Sequence, residues 1–153
     1  MNFKKIILTL LIVMVCLVPF SAFASEAALP ADYVGTGAEL IEIKNPETVV
    51  STTANKSCVI SAVAASGTTV TLYAYNAETN TYVKMYSGET ALESVVGAAG
   101  LYAQNLELNP GTNNILVVAT SGTAVETVRL QITLVKSNLM DTIRIFWQSV
   151  LNP

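Results

Sequence analysis

The chemistry open to this chain is narrowed most by a residue type that it lacks. None of its 153 residues is histidine, which excludes Ser-His and Cys-His nucleophile pairs, histidine-based zinc sites and histidine as a general base. Cys58 is the single cysteine beyond the first 24 residues. Its place in the apolar run CVISAVA indicates a small packed hydrophobe and not a reactive thiol.

Carboxylates are the remaining groups that could hold a metal or transfer a proton. Calcium needs several closely spaced oxygen ligands, but the two aspartates, Asp32 and Asp141, stand near opposite ends of the chain. Glu89 and Glu93 would share a face if their segment were helical, but a single pair of glutamates supplies too few ligands for calcium. A hydrolase that uses carboxylates alone stays an alternative, although nothing selects an acid/base pair. We predict no metal, no cofactor and no catalytic residue.

Tyrosines offer a second kind of site. In the run TTVTLYAYN, Tyr73 and Tyr75 alternate with apolar residues and fall on one face of a strand, and Tyr82 and Tyr86 share a face of the next run. Rings aligned on a sheet surface can stack on sugar rings, which makes a carbohydrate-binding module one hypothesis. Cross-strand aromatic packing is the other interpretation, and we favour it because tyrosine is a common strand residue.

The first 24 residues are typical of an export signal. Lys4 and Lys5 precede an apolar run from Ile6 to Val18, and Ala22-Phe23-Ala24 matches the small-x-small pattern of signal peptidase sites. The apolar run is shorter than the roughly 20 residues of a membrane-spanning helix, so a retained anchor is the less favoured alternative. We expect cleavage after Ala24 and a secreted or extracellular protein that can associate with the cell surface.

The charge of the processed chain, residues 25–153, limits its partners. It keeps all 11 acidic residues but six basic ones, a net charge of −5. An acidic surface repels phosphate backbones, so we expect no nucleic acid partner. With one cysteine left, no disulfide can form within it. The 129 residues that remain fit one domain.

Strand patterns separated by turn residues fill the middle of the chain, after residues 25–38, which we predict to be a flexible leader. In AVETVRLQITLV, apolar and polar residues alternate, as one dry and one wet sheet face require. Further predicted runs are ELIEIKN, TVVST at an edge, SCVISAVA, TTVTLYAYN and TYVKMYS. Residues 89–100 form either one helical turn or a loop. The inward-facing residues are predicted to include Ile41, Ile43, Tyr102, Leu106, Leu108, Ile115, Val117, Ala119, Val128, Leu130, Ile132 and Leu134.

Two of these runs carry a family resemblance. GTTVTLYAYN, followed by VGAAGLYAQNLELNPGTNNILVVAT and an alternating last strand, resembles the bacterial immunoglobulin-like and cadherin-like sandwich modules of exported proteins. The resemblance implies a β-sandwich over residues 39–136 but little about function, because such modules serve as spacers, adhesive units and appendages of enzymes. A lone module without an internal repeat does not suit a spacer. The matching positions are Gly67, Val70, Gly100, Tyr102, Leu108, Gly111, Asn113, Ile115, Val117 and Ala119.

The C-terminal residues 137–153 predict an amphipathic helix. Leu139, Ile143, Phe146 and Val150 follow helical spacing, and Trp147 widens the stripe. A strand is the alternative, since apolar and polar residues also alternate there. The stripe either packs on its own domain or docks on a partner. One arginine is too few for a typical membrane-surface helix. The candidate interface residues are Ile143, Phe146, Trp147 and Val150.

Taken together, these patterns predict an all-β protein. Its expected fold is an antiparallel immunoglobulin-like β-sandwich of about seven strands with a C-terminal amphipathic helix; a small barrel is the alternative. Its expected function is that of an exported, non-catalytic interaction module that binds a protein partner or itself, for example in adhesion. A secreted module for cell-wall or environmental polysaccharide is the second hypothesis.

Overall fold

A computed structural model describes residues 26–135 together with Arg144, Trp147 and Gln148. Residues 26–135 form an all-β protein with antiparallel sheets. Extended strands follow the runs in which β-branched and aromatic residues concentrate. The strands are β1 (Ala28–Pro30), β2 (Ile41–Asn45), β3 (Val50–Thr53), β4 (Ser57–Ala64), β5 (Thr69–Asn76), β6 (Thr81–Lys84), β7 (Tyr86–Ser87), β8 (Thr90–Ala91), β9 (Glu93–Val95), β10 (Leu101–Glu107), β11 (Gly111–Ser121) and β12 (Ala124–Leu134).

Two sheets carry most of the strands. The seven-stranded sheet has the order β1-β6-β5-β11-β12-β3, with β9 also paired to β5, and the three-stranded sheet has the order β10-β4-β2. A short β7-β8 hairpin stands apart. All pairings are antiparallel except that of β12 with the edge strand β3. The closed barrel considered above is wrong, because the described strands divide between separate sheets with distinct edges.

The two sheets bury one core between them. Leu72 and Val117 come from the seven-stranded sheet, Ile60 and Leu106 come from the three-stranded sheet, and all belong to one cluster of buried side chains. The inward set predicted from alternation is confirmed: its members are either buried or, like Ile43 and Val128, packed against this cluster. Period-two patterning therefore assigned the core face of β2, β10, β11 and β12 correctly.

The outer face of the seven-stranded sheet has a second, smaller apolar cluster. Its buried members are Leu29, Tyr73, Tyr82, Leu116 and Val118. Residues 26–36, which we call the N-terminal cover, lie over this cluster. The predicted flexible leader is thus wrong for the part that the structure describes.

Backbone bonds fix the N-terminal cover along its length. Strand β1 pairs with β6, and the amide of Thr36 donates to the carbonyl of Val125 over 2.7 Å. Arg129 Nη2 donates to the carbonyls of Ala31 and Tyr33 at 3.4 and 2.7 Å. The segment lacks periodicity because it binds mainly through its backbone, which needs no side-chain pattern.

The turn between β10 and β11 is organised by Asn113, whose side chain bonds backbone groups of the turn. Its Oδ1 accepts from the amide of Asn109 at 2.9 Å, and its Nδ2 donates to the carbonyls of Asn109, Gly111 and Ile132 at 2.8 to 3.2 Å. Gly111 has a φ of 91°, which a residue with a Cβ rarely adopts. The turn therefore depends on both side-chain amide and glycine.

Short strands account for most of the difference from the predicted count of about seven. The predicted run TYVKMYS splits into β6 and β7 at Met85, whose amide donates to the carbonyl of Leu72. Residues 89–100, expected as a loop or one helical turn, contain β8 and β9. Within the described residues, no helix has the length and apolar character needed to cross a membrane.

Candidate interaction surface

The tyrosines do not form the sugar-stacking face that the carbohydrate hypothesis requires. Tyr73 is only 1% exposed, and its hydroxyl donates to the carbonyl of Glu26 at 3.1 Å. Tyr75 and Tyr82 are cross-strand partners whose rings meet edge to face, with centroids 5.4 Å apart. Tyr86 is exposed but lies on a different strand from Tyr82. Cross-strand packing, the favoured interpretation, describes Tyr75 and Tyr82.

Several carboxylates accept hydrogen bonds from neighbouring groups. Glu93 Oε2 accepts from Lys84 Nζ and from Thr71 Oγ1, each at 3.1 Å. Glu126 Oε2 accepts from the amides of Leu40 and Ile41, and so ties β12 to the start of β2. No group of three or more metal-ligating side chains occurs among the described residues. Glu93 therefore binds neighbouring side chains on the surface of its own sheet, and Glu126 joins the two sheets.

A cleft of about 530 Å³ opens beside the N-terminal cover. Its lining includes the apolar or aromatic residues Leu29, Tyr33 and Val118 and the polar residues Thr71 and Glu93. The hydrogen bond between Thr71 and Glu93 satisfies these two groups mutually. These two polar groups are therefore directed at each other and not at a ligand.

The two chemically reactive side chains of the core are there for packing. Cys58 packs partly buried against the main cluster, and burial raises the pKa of its thiol, which opposes formation of a nucleophilic thiolate. Tyr102 is buried, and its hydroxyl has no hydrogen-bond partner among the described residues. Burial raises the pKa of Tyr102 far above its ordinary value.

Replacing Tyr102 by Phe tests this packing role. At neutral pH the variant should be as stable as the wild type or more stable, because the removed hydroxyl has no partner to lose. In alkali the unfolded tyrosine releases its proton near its ordinary pKa of about 10 while the folded one keeps it. Wild-type stability should then fall relative to Tyr102→Phe by about 1.4 kcal/mol per pH unit. Urea unfolding from pH 7 to 11 measures the difference, and parallel curves would contradict it.

The outer face of the three-stranded sheet differs from that of the seven-stranded sheet because apolar side chains are exposed there. Val59, Val63, Leu101 and Ala103 all point away from the core, and we call them the outer strip. Leu101 is 68% exposed and is the direct cross-strand partner of Val63. Two ion pairs, Lys44–Glu42 and Lys56–Glu107, lie beside the strip.

The strip ends at an open strand edge. Among the described residues, strand β10 pairs with β4 on one side and with no strand on the other. The amide of Ala64 donates to the carbonyl of Gly100 at 3.0 Å, and that of Leu108 donates to Lys56 at 2.8 Å. In an antiparallel ladder the bonded residues alternate, so even-numbered residues of β10 bond to β4. The odd-numbered residues, Leu101, Ala103, Asn105 and Glu107, direct their amides and carbonyls to the open edge.

Other edges of the described sheets carry features that block further pairing, and β10 carries none of them. Strand β1 has three residues and contains Pro30. Strand β2 has a register irregularity between Ile43 and Asn45, with Lys44 inside it, and β3 has four residues. Strand β10 has seven residues, LYAQNLE, in continuous register and without lysine or proline. Such an edge is a template for another strand.

Comparison with known proteins does not assign this surface. The chain matches no family model, no curated protein and no solved structure. The interpretation of the surface therefore depends on its geometry and on the sequence.

The outer strip was not predicted from the sequence, although the residue pattern of β4 indicates it. In CVISAVA, Val59 and Val63 have the parity opposite to Ile60 and Ala62, so both faces of β4 carry apolar side chains. Of the predicted tail interface, Trp147 is described and is 55% exposed. Ile143, Phe146 and Val150 lie outside the described residues, and the helix predicted over residues 137–153 stays a prediction.

Proposed function

We propose that this chain is an exported, non-catalytic interaction module with an immunoglobulin-like β-sandwich fold, and that it binds a protein partner through the three-stranded sheet. Two sheets with one shared core support the sandwich, and the export signal predicted over residues 1–24 supports secretion or display at the cell surface. The module binds by surface complementarity and performs no reaction.

The observation that carries this proposal is the contrast between the two outer faces. The seven-stranded sheet buries Leu116 and Val118 under the N-terminal cover. The three-stranded sheet leaves Val63 and Leu101 in solvent beside an unblocked edge. Contiguous exposed apolar side chains with charged neighbours are typical of protein-binding sites. Protein is favoured over polysaccharide because the predicted stacking pair Tyr73/Tyr75 has one ring buried.

A cell-binding experiment tests the surface and the partner class together. The labelled processed chain is incubated with washed cells of the producing organism, and the bound fraction is compared with that of a Val63→Lys/Leu101→Lys variant. Burying one lysine in an apolar contact should cost at least about 1.4 kcal/mol, so we expect binding at least about tenfold weaker. Thermal unfolding checks that the variant is folded.

The control places the same charge change elsewhere. Val34 and Val95 are about as exposed as Leu101 but lie away from the three-stranded sheet, so Val34→Lys/Val95→Lys should bind cells like the wild type. Prior protease treatment of the cells should abolish binding. Binding that survives protease but is lost on glycan removal, or an equal loss in both variants, would overturn the proposal.

A further inference from the structure

We infer that the partner of the open β10 edge is a second copy of this chain, paired antiparallel about Gln104. This inference rests on the proposed function, since it names the occupant of the same surface. Gln104 is the central residue of β10, which runs from Leu101 to Glu107. A two-fold axis through that point joins two three-stranded sheets into one sheet of six strands.

The direction of the edge groups restricts the register to those that oppose odd-numbered residues, and the axis at Gln104 pairs the largest number of them. With the axis at Gln104, Leu101 faces Glu107 of the other copy, and Ala103 faces Asn105. These are the odd-numbered residues whose amides and carbonyls point outward, so every edge group meets a complementary one. Four such pairs with two bonds each would give about eight backbone hydrogen bonds. A shift by one residue would oppose outward-facing groups to inward-facing ones.

Side chains in this register oppose no like charges. Glu107 lies opposite Leu101 of the other copy and keeps its bond to Lys56 at 3.0 Å. Tyr102 lies opposite Leu106 of the other copy, and both side chains are on the core face of β10. The carbonyl of Asn105 already accepts a bond from Gln104 Nε2 at 3.0 Å, but a carbonyl has two lone pairs and can accept a second donor. Self-pairing therefore costs no existing contact at the edge.

The outer strip supports the same occupant. Pairing two β10 strands places the strips of both copies on one continuous face, with Leu101 of one copy next to Glu107 and Lys56 of the other. The apolar part of each leucine would then be covered by the aliphatic stem of lysine, as occurs for long charged side chains at interfaces. An unrelated strand would supply the backbone bonds but not this match.

The first experiment measures dimerisation of the processed chain by sedimentation velocity over a wide concentration range. Proline at position 103 removes one outward amide per copy without touching the bonds to β4, and Ala103→Ser keeps the amide. We expect a reversible dimer whose dissociation constant rises by about tenfold or more in Ala103→Pro, with little change in Ala103→Ser. Circular dichroism reports whether the proline variant is folded.

Disulfide trapping tests the register and does not need the proline variant. In a Cys58→Ala background, Gln104→Cys places two thiols in a non-hydrogen-bonded pair with Cα atoms about 4.5 Å apart, within disulfide range. Asn105→Cys is the matched control, because two copies of residue 105 would be diagonal neighbours about 7–8 Å apart. Rapid cross-linking at position 104 and slow cross-linking at position 105 are expected.

The outcomes separate this inference from the proposed function. A chain that stays monomeric at millimolar concentration, or cross-links equally at both positions, overturns self-pairing. A dimer that survives Ala103→Pro but is lost on deleting residues 137–153 also overturns it, in favour of the tail. If cell binding still depends on Val63 and Leu101 in these cases, the proposed function stands.

Discussion

Deleting residues 26–36 is expected to lower the free energy of unfolding of the processed chain by about 4 kcal/mol or more. The deletion removes Leu29, whose burial contributes about 1.5–3 kcal/mol, and exposes Leu116 and Val118. It also removes the hydrogen bond from the Tyr73 hydroxyl to the carbonyl of Glu26, a net loss of about 0.5–1.5 kcal/mol. Urea unfolding of the full processed chain and of the shortened chain measures the difference.

Single substitutions show whether the N-terminal cover stabilises the fold through its buried side chains. Leu29→Ala should cost about 2–5 kcal/mol, as for other buried leucines. Val34, in the same segment, is 68% exposed, so Val34→Ala should change stability by no more than about 0.5 kcal/mol. An unchanged stability after the deletion would show that residues 26–36 are the loose leader that their composition predicts.

Replacing Leu106 by Ala is expected to cost about 2–5 kcal/mol. Leu106 is 2% exposed and lies in the cluster shared by both sheets, so the vacancy would be lined by side chains from each. Leu101 has the same side chain on the same strand but faces solvent, and Leu101→Ala should cost no more than about 0.5 kcal/mol. Thermal and urea unfolding of both variants tests the assignment, and equal losses would contradict it.

The strands with one wet face could be predicted from the sequence in detail. SCVISAVA matches β4 at both ends, and the alternation in AVETVRLQITLV gave the inward set of β12. Period-two patterning records the exposure of each face, so it works where one face is in solvent. The Asn113 turn was also predictable, because Pro110-Gly111 and a following amide have a local mechanism.

Period-two patterning does not work for a strand that is buried on both faces. In β11, Leu116 and Val118 are buried as well as Ile115 and Val117, so the run ILVVA has no face in solvent. A continuous apolar run shows that something covers the second face but does not show what. The cover itself is fixed by backbone bonds such as Thr36 to Val125, which are independent of side-chain type.

Residues 89–100 were ambiguous for a related reason. Their short strands are held by distant backbone partners: the amide of Leu72 donates to the carbonyl of Leu92, and that of Val96 donates to Thr68. Such bonds belong to the tertiary structure, and a local window of sequence does not contain them. The open β10 edge is also a property of sheet order, which alternation alone does not give.

Amide hydrogen exchange on the processed chain in dilute solution tests the central contrast between the two outer surfaces most directly. The amides of Thr36 and Lys84 donate to the carbonyls of Val125 and Ala27, so they should exchange slowly. The amides of Ala103 and Asn105 point to the open edge and should exchange fast, slowing as the protein concentration rises. Fast exchange at Thr36 and Lys84, or concentration-independent protection at Ala103 and Asn105, would contradict the account.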